Sequence, residues 1–460
     1  MFDRNILKYL KQWKDKRDRK PLVLRGGRQV GKTSAVLMFG EKHFPHVLHI
    51  NLENVEHSRL FKGNISLDEF KDIVRVRLAQ PVTPGQTLVF LDEIQNAPGL
   101  IKLLRFFYEQ MPDLHVIASG SLLDVILERE GFSFPVGRVE FAYMYPLDFF
   151  EFLGAQKERE LLDYLKNTSP KKKIPDAIHE DALKKFYEYT MIGGMPEIVR
   201  TYAANGDMNA LSPLYAALLT GYSEDVYKYS SLANSKYLHY VIEKAPLYAG
   251  TTITYDKFGD SHFRSREMGQ AFSTLERVML LYQVWATKST EIPLVEQFKR
   301  PRKLLFLDVG LVNHQMGVQG DFLNLKDLAG LYRGRVAEQV AGQNILAQFM
   351  YSLPKVLYWA REKTEGIAEV DFCLQHKGKI LGIEVKSASA NKLKSLFSFA
   401  QAVPDSRLIR IYSGQLKEEK IGISGKSFKV LSLPFYLVPR VLDDWQVECP
   451  GHSRSVRGPC

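Results

Sequence analysis

At 460 residues, with 45% apolar and 25% charged side chains, the chain is long enough for two or three domains with large cores and too apolar for a disordered protein. Three cysteines, Cys373, Cys449 and Cys460, are too few and too late for a disulfide framework or a zinc ribbon, so a reducing, cytoplasmic setting is expected. No run of about eighteen apolar residues occurs and the first twenty residues lack an apolar segment, which argues against a membrane span and a secretory leader. The 62 basic and 52 acidic residues leave a formal charge of +10, a bias toward polyanionic partners.

The basic N-terminal segment carries an apolar stripe, Ile6, Leu7, Tyr9, Leu10 and Trp13, that should dock on a core. Residues 21–31 (PLVLRGGRQVG) read as a buried strand entering a glycine-rich turn, and TSAVLMFGEKHF continues with helical spacing. Short apolar runs at 46–53, 87–93 and 114–120 are of parallel-strand type and alternate with helical stretches, giving an α/β unit that ends near Glu140. Residues 145–230 read as helices, broken by the loop NTSPKKKIPD and the turn IGGMPE. Between 234 and 300 the order is short helices, a polar turn, the amphipathic stretch QAFSTLERVMLLYQVW and an extended tail around EIPLV, which is the order of a winged helix. FKRPRK reads as a basic linker, after which LLFLDVG opens a last α/β unit with a helix over 334–350 and paired strands near 370 and 384.

Gly26-Gly27-Arg28-Gln29-Val30-Gly31-Lys32-Thr33 fits the phosphate-loop pattern in the strand-turn-helix setting it requires. The glycines let backbone N–H groups and the helix start, including Ser34, face phosphate oxygens. Lys32 reaches the β- and γ-phosphates of ATP, and the Thr33 hydroxyl ligands Mg2+. Leu88-Val89-Phe90-Leu91-Asp92-Glu93 places two carboxylates at the C-terminal end of a buried strand. Asp92 is expected to hold the magnesium through water, and Glu93 to polarise the attacking water. Ser119, at the end of the following strand, either senses the γ-phosphate or belongs to a plain strand-end turn.

Near the C-terminus, a two-residue turn at Lys377-Gly378 pairs Val370 with Val385, Phe372 with Ile383 and Leu374 with Leu381, an apolar face. On the other face Asp371 lies opposite Glu384 and Glu369 opposite Lys386. Facing carboxylates call for a cation or a proton. Asp371 with Glu384-Val385-Lys386 resembles the Asp…Glu-x-Lys pattern of restriction-endonuclease-like nucleases. That resemblance implies a magnesium held by Asp371, Glu384 and the helical acid Glu338, with Lys386 activating water. The alternative is a salt-bridge cluster in which Lys386 neutralises Asp371 and Glu384.

GGRQVGKT, LVFLDEIQN, ASGSLL, GRVEFAYMYPLDFFEFL and IGGMPE together resemble the bacterial predicted AAA+ ATPases whose C-terminal half is the domain of unknown function 4143. This resemblance implies an α/β P-loop AAA+ core (1–145), a helical extension (146–232), a winged-helix-like middle (233–300), a restriction-endonuclease-like domain (301–445) and a tail (446–460). Arg138, in the recurrent Gly-Arg pair, is the candidate γ-phosphate or finger arginine, and action in trans would make the active form a homo-oligomer. Its alternative is a pairing with Glu140 or Asp148. Arg264, Arg266 and Arg277 are candidate DNA-phosphate contacts. The histidines show no metal-ligand spacing. The expectation is an ATPase that acts on nucleic acid, and its alternative is an ATP-dependent switch that regulates a protein partner.

Overall fold

The computed structural model describes all residues except 1, 122, 124–130, 132, 231, 319–333, 362–367, 387–392, 424–425 and 446–460. The expected tail, with Cys449 and Cys460, and Leu122 of the ASGSLL run lie outside the described residues.

Five strands form an all-parallel sheet: β1 (Leu22–Gly26), β2 (His46–Asn51), β3 (Thr87–Asp92), β4 (His115–Gly120) and β5 (Glu140–Met144), in the order β2-β3-β4-β1-β5. Alternate side chains divide it cleanly. Leu22, Leu24, Leu88 and Phe90 enter one hydrophobic cluster, and Val23, Val89, Leu91 and Val116 enter another on the opposite face. The strands do not stop at Glu140 as the sequence suggested. Glu140–Met144 pairs in parallel with β1, completing the sheet edge. The Asn5–Lys14 helix buries Ile6, Tyr9, Leu10 and Trp13, with Leu7 partly covered, as its stripe predicted.

Helices Phe149–Ala155, Arg159–Asn167, Asp176–Ile192, Pro196–Asn205 and Ser212–Tyr229 follow. The first starts with a capping box from Asp148 and Glu151. Beyond them, β6 (Thr251–Ile253), the helix Ser265–Arg277, β7 (Leu281–Thr287) and β8 (Arg302–Phe306) build an antiparallel group in the order β7-β8-β6. This corrects the reading of FKRPRK as a linker. Arg302 and Lys303 are buried inside β8, where Arg302 stacks 3.7 Å from the Tyr255 ring centroid and 4.5 Å from that of Trp285.

The group continues into β9 (Val356–Ala360), β10 (Glu369–His376), β11 (Lys379–Val385), β12 (Arg407–Tyr412), β13 (Lys417–Ile423) and β14 (Lys426–Pro434). Together these make a nine-stranded mixed sheet, β13-β14-β12-β11-β10-β9-β7-β8-β6. The helix Arg335–Leu346 crosses one face of it and carries a buried amide network. Gln343 donates to Asp308 (2.9 Å), whose carboxylate also accepts from the N–H groups of Gly194 (2.6 Å), Gly310 (2.9 Å) and Leu311 (3.4 Å). The glycines of IGGMPE are required here: a Cβ on Gly193 would collide with the Asp308 carboxylate, and one on Gly194 with the backbone of Leu147. The network ties the helical segment to the C-terminal sheet. No helix among the described residues is long and apolar enough to cross a membrane.

Candidate functional site

The phosphate loop leaves β1 at its C-terminal end and delivers Gly31, with φ of 95°, to the start of the helix Lys32–His43. Only glycine enters that conformation without strain. Lys32 is buried, and its Nζ donates to the carbonyls of Gly26 (3.0 Å) and Gly27 (2.9 Å). Burial pushes its ammonium below the ordinary range, opposed by Glu93 and Asp92. A cavity of about 530 Å³ opens over the loop, lined among others by Gln29, Gly31, Lys32, Thr33, Ser34 and Glu93.

Asp92 is at the end of β3, with Oδ2 accepting from Thr33 Oγ1 at 2.8 Å and Oδ1 accepting from Ser119 Oγ of β4. His49 Nε2 lies 3.4 Å from Oδ2. Burial works to raise the Asp92 carboxyl, but hydrogen bonds from His49, Ser119 and Thr33 outweigh it and hold the group below its ordinary value. An ionised Asp92 beside the Thr33 hydroxyl is the hard oxygen pair that magnesium takes, so these residues fit the ion. Glu93 turns out of the strand at φ of 52°, and Gln95 Nε2 donates to its Oε2 at 2.5 Å.

Several neighbours of the loop were not legible in the sequence. Arg4 donates to the Val30 carbonyl (2.9 Å) and the Tyr145 carbonyl (2.7 Å), and it pairs with Glu151 at 3.0 Å. Arg28 pairs with Asp225 of the Ser212–Tyr229 helix, while Tyr222 donates to the Arg28 carbonyl at 3.2 Å. A Cβ on Gly27 would meet the Leu307 side chain and the Met279 carbonyl, which lie beside the loop. The loop is therefore bonded directly to the segments that follow the first sheet.

Arg138 is not in this cavity, which corrects its expected place at the γ-phosphate of its own chain. It pairs with Glu109 at 2.8 Å, rather than with Glu140 or Asp148, and lies over the Tyr108 ring. The register explains why. Glu140 pairs with Leu22 and Met144 with Gly26, so Arg138 precedes the N-terminal end of β5 while the phosphate loop leaves the other end, roughly 13 Å away at about 3.3 Å per residue.

The C-terminal constellation assembles, with one addition that alters its chemistry. The β10–β11 ladder follows the expected register from Phe372–Ile383 to His376–Lys379. A register shift between Val370 and Cys373 on the β9 side moves Val370 to the cluster on the opposite face from Phe372 and Leu374, correcting the continuous apolar face. Beyond the ladder, Asp371 Oδ2 accepts the Val385 N–H at 2.8 Å. Lys386 pairs with Glu384 at 2.5 Å.

Lys303 from β8 enters the middle of these acids, 2.8 Å from Glu338, 2.8 Å from Asp371 and 3.1 Å from Glu369. Burial works against its charge, yet Asp371, Glu338 and Glu369 hold it well above the ordinary lysine value. Burial and then Asp371 push both Glu338 and Glu384 up to about 7. Among the described residues no three His, Cys, Asp or Glu side chains are disposed to hold a metal ion. The expected metal ligands Glu338, Asp371 and Glu384 therefore do not fit magnesium here: an ammonium fills the place between the acids.

Arg264 and Arg266, at the start of the Ser265–Arg277 helix, are exposed, as is Arg277.

The parallel sheet, the phosphate loop and the Asp92–Thr33 pair define an ATP-binding ATPase of the AAA type. Residues 18–153 match the family described as an AAA domain. Residues 333–436 match domain of unknown function DUF4143, and residues 183–321 match domain of unknown function DUF8612. The chain thus joins an N-terminal AAA domain to a C-terminal DUF4143 domain. Among solved structures, a Walker-type ATPase of Pyrococcus abyssi is similar at 16% identity, covering 69% of this chain and 96% of that one with a TM-score of 0.43. AMPPCP-bound DnaA from Aquifex aeolicus gives 14%, 60%, 86% and 0.26 for the same quantities. The Aeropyrum pernix ORC1 protein in complex with DNA gives 12%, 68%, 90% and 0.25. No curated protein matches the chain.

Proposed function

We propose that the chain is a magnesium-dependent, cytoplasmic ATP hydrolase whose nucleotide state sets how its C-terminal two-thirds engages nucleic acid. The observation that carries this reading is the bonding of the phosphate loop to later segments, through the Arg28 guanidinium to Asp225 and through the Arg28 carbonyl to Tyr222. A γ-phosphate drawing on Arg28 competes with Asp225 for the guanidinium, so nucleotide arrival and the seat of the Ser212–Tyr229 helix are linked.

Magnesium, held by Thr33 and Asp92, supplies charge neutralisation at the phosphates when bound. Lys32 exchanges its carbonyl partners for phosphate oxygens, Ser119 keeps Asp92 oriented, and Glu93 accepts the proton of the attacking water. The order β6, helix Ser265–Arg277, β7, β8 is that of a winged helix, with Arg264 and Arg266 presented as phosphate contacts on DNA. Arg138 has a catalytic role only if it leaves Glu109 and acts on a neighbouring copy in a homo-oligomer. Cleavage by the DUF4143 domain is not part of the proposal, since Lys303 already neutralises its acids.

A second reading, a switch that regulates a protein partner, draws on Ile292, Val295 and Phe298, which stand exposed on the β7–β8 connection. ATP turnover and duplex binding separate the two. The first reading expects hydrolysis that DNA stimulates, duplex binding that weakens steeply between low and physiological salt, and weaker binding by Arg264→Ala and Arg266→Ala. Slow turnover indifferent to nucleic acid, with no duplex shift at low salt with or without ATP, rules out the first and favours the second.

A further inference from the structure

We infer that Gln95 is a positioning residue for hydrolysis: it fixes the carboxylate of Glu93, and the absent side chain of Gly120 is what makes room for it. The inference rests on the role given to Glu93 above. Gln95 belongs to the short turn Ile94–Asn96 that follows β3, and it is 6% exposed. A long amide buried on a turn beside a cavity needs a reason, because burial of its polar atoms is costly unless they are bonded. One of them is: Nε2 donates to Glu93 Oε2 at 2.5 Å. The other, Oε1, has no hydrogen-bond partner among the described residues.

That Oε1 lies against Gly120, the last residue of β4, so closely that any Cβ at position 120 would overlap it. Backbone and amide therefore lock the Gln95 rotamer, and the locked amide aims one N–H at one oxygen of Glu93. Glu93 itself occupies a left-handed conformation at φ of 52° and ψ of 49°. For a residue with a Cβ this stores strain that surrounding contacts must hold. Its Oε1 is left to take the proton of water approaching from the phosphate side, where Glu93 lines the cavity over the loop. The end of β4 then serves both acids: Ser119 bonds Asp92, and Gly120 admits Gln95 to Glu93.

The experiment is steady-state ATP hydrolysis and nucleotide binding by the full chain carrying Glu93→Gln, Gln95→Ala, Gln95→Glu, Gly120→Ala and the double variants. Positioning predicts that Gln95→Ala lowers kcat by roughly 10- to 100-fold, the scale of a misplaced catalytic group, while nucleotide affinity stays within about twofold. Gln95→Glu keeps the size but sets like charges together, and it falls with Gln95→Ala. Gly120→Ala falls too, and its loss shrinks in the Gln95→Ala background, where the remaining close neighbour of the new Cβ is the Leu123 side chain at 2.9 Å. Gln95→Ala likewise adds nothing in the Glu93→Gln background. If Glu93→Gln abolishes turnover while Gln95→Ala and Gln95→Glu turn over like wild type, the positioning inference is overturned and the reading of Glu93 stands. If Glu93→Gln itself hydrolyses ATP like wild type, the reading of Glu93 fails. Additive losses for Gly120→Ala and Gln95→Ala mean that the two residues act separately, which also overturns the inference.

Discussion

The two acidic sites of this chain each surround a buried lysine, and the partners of that lysine separate them. Lys32 donates to two backbone carbonyls at 2.9 and 3.0 Å, beside an open cavity. Its hydrogen bonds go to neutral acceptors, with Glu93 and Asp92 acting on its charge only from a distance, and phosphate oxygens can displace those acceptors with a net gain. Lys303 instead lies within 3.1 Å of three carboxylates and is 4% exposed. Its charge is fully committed inside the fold. A motif of acids plus lysine thus marks a ligand site only where the cation is still available.

The largest effect that would break this comparison concerns Glu93. With Glu93→Gln, ATP binding is retained and kcat falls by roughly 10²–10⁴-fold, the range for loss of a general base; binding and turnover assays on one preparation check it. Next, Lys303→Ala leaves the largely covered Glu338 and Asp371 facing each other beside the half-exposed Glu369 and lowers stability by up to about 3–5 kcal/mol, the scale for removing one member of a buried ionic cluster. Thermal melting without nucleotide checks this, and magnesium should raise the variant's melting temperature while leaving that of wild type unchanged. If magnesium raises wild type as much as the variant, Lys303 does not stand in for a metal. In the phosphate loop, Lys32→Ala should weaken nucleotide binding by roughly 10- to 100-fold, the equivalent of about 1.5–3 kcal/mol for a charge-assisted contact.

The last expected effect is a pH dependence to which the C-terminal cluster contributes. Glu338 and Glu384 move from an ordinary 4.5 to about 7 in the fold. The folded state therefore holds more protons than the unfolded chain between those values, and stability falls as pH rises. Their contribution is complete below about 4.5 and lost as pH passes 7. Melting from pH 5 to pH 8 should decline, and Glu384→Gln should flatten the slope.

The phosphate loop and the Asp92–Glu93 pair were legible because each is one continuous strand-turn-helix or strand-end segment, whose chemistry follows from neighbouring residues. The β10–β11 register was legible for the same reason: two residues of turn fix the pairing. Lys303 was hidden by distance, 35 residues from Glu338 and 68 from Asp371, and by composition, since a basic run looks solvated until a sheet buries it. The signal was the apolar continuation LLF, which extends Arg302-Lys303 as a strand. Arg28 and Asp225 lie 197 residues apart, and no local pattern joins them. Gln95 was visible within LVFLDEIQN, but its role depends on the bare backbone of Gly120 in another strand. Arg138 was misplaced because its distance from the loop is set by the parallel direction of β5, a strand the sequence reading did not include.

The most direct test of an available lysine against a committed one is calorimetric titration of the nucleotide-free chain, first with magnesium alone and then with magnesium plus a non-hydrolysable ATP analogue, for wild type, Lys32→Ala and Asp92→Asn. The account predicts one nucleotide site per chain in wild type, a large loss of that affinity in Lys32→Ala, and no magnesium uptake at the Lys303 cluster, so that any heat from magnesium alone disappears with Asp92→Asn. Saturable uptake of magnesium alone that survives Asp92→Asn, or nucleotide binding unchanged by Lys32→Ala, would contradict it.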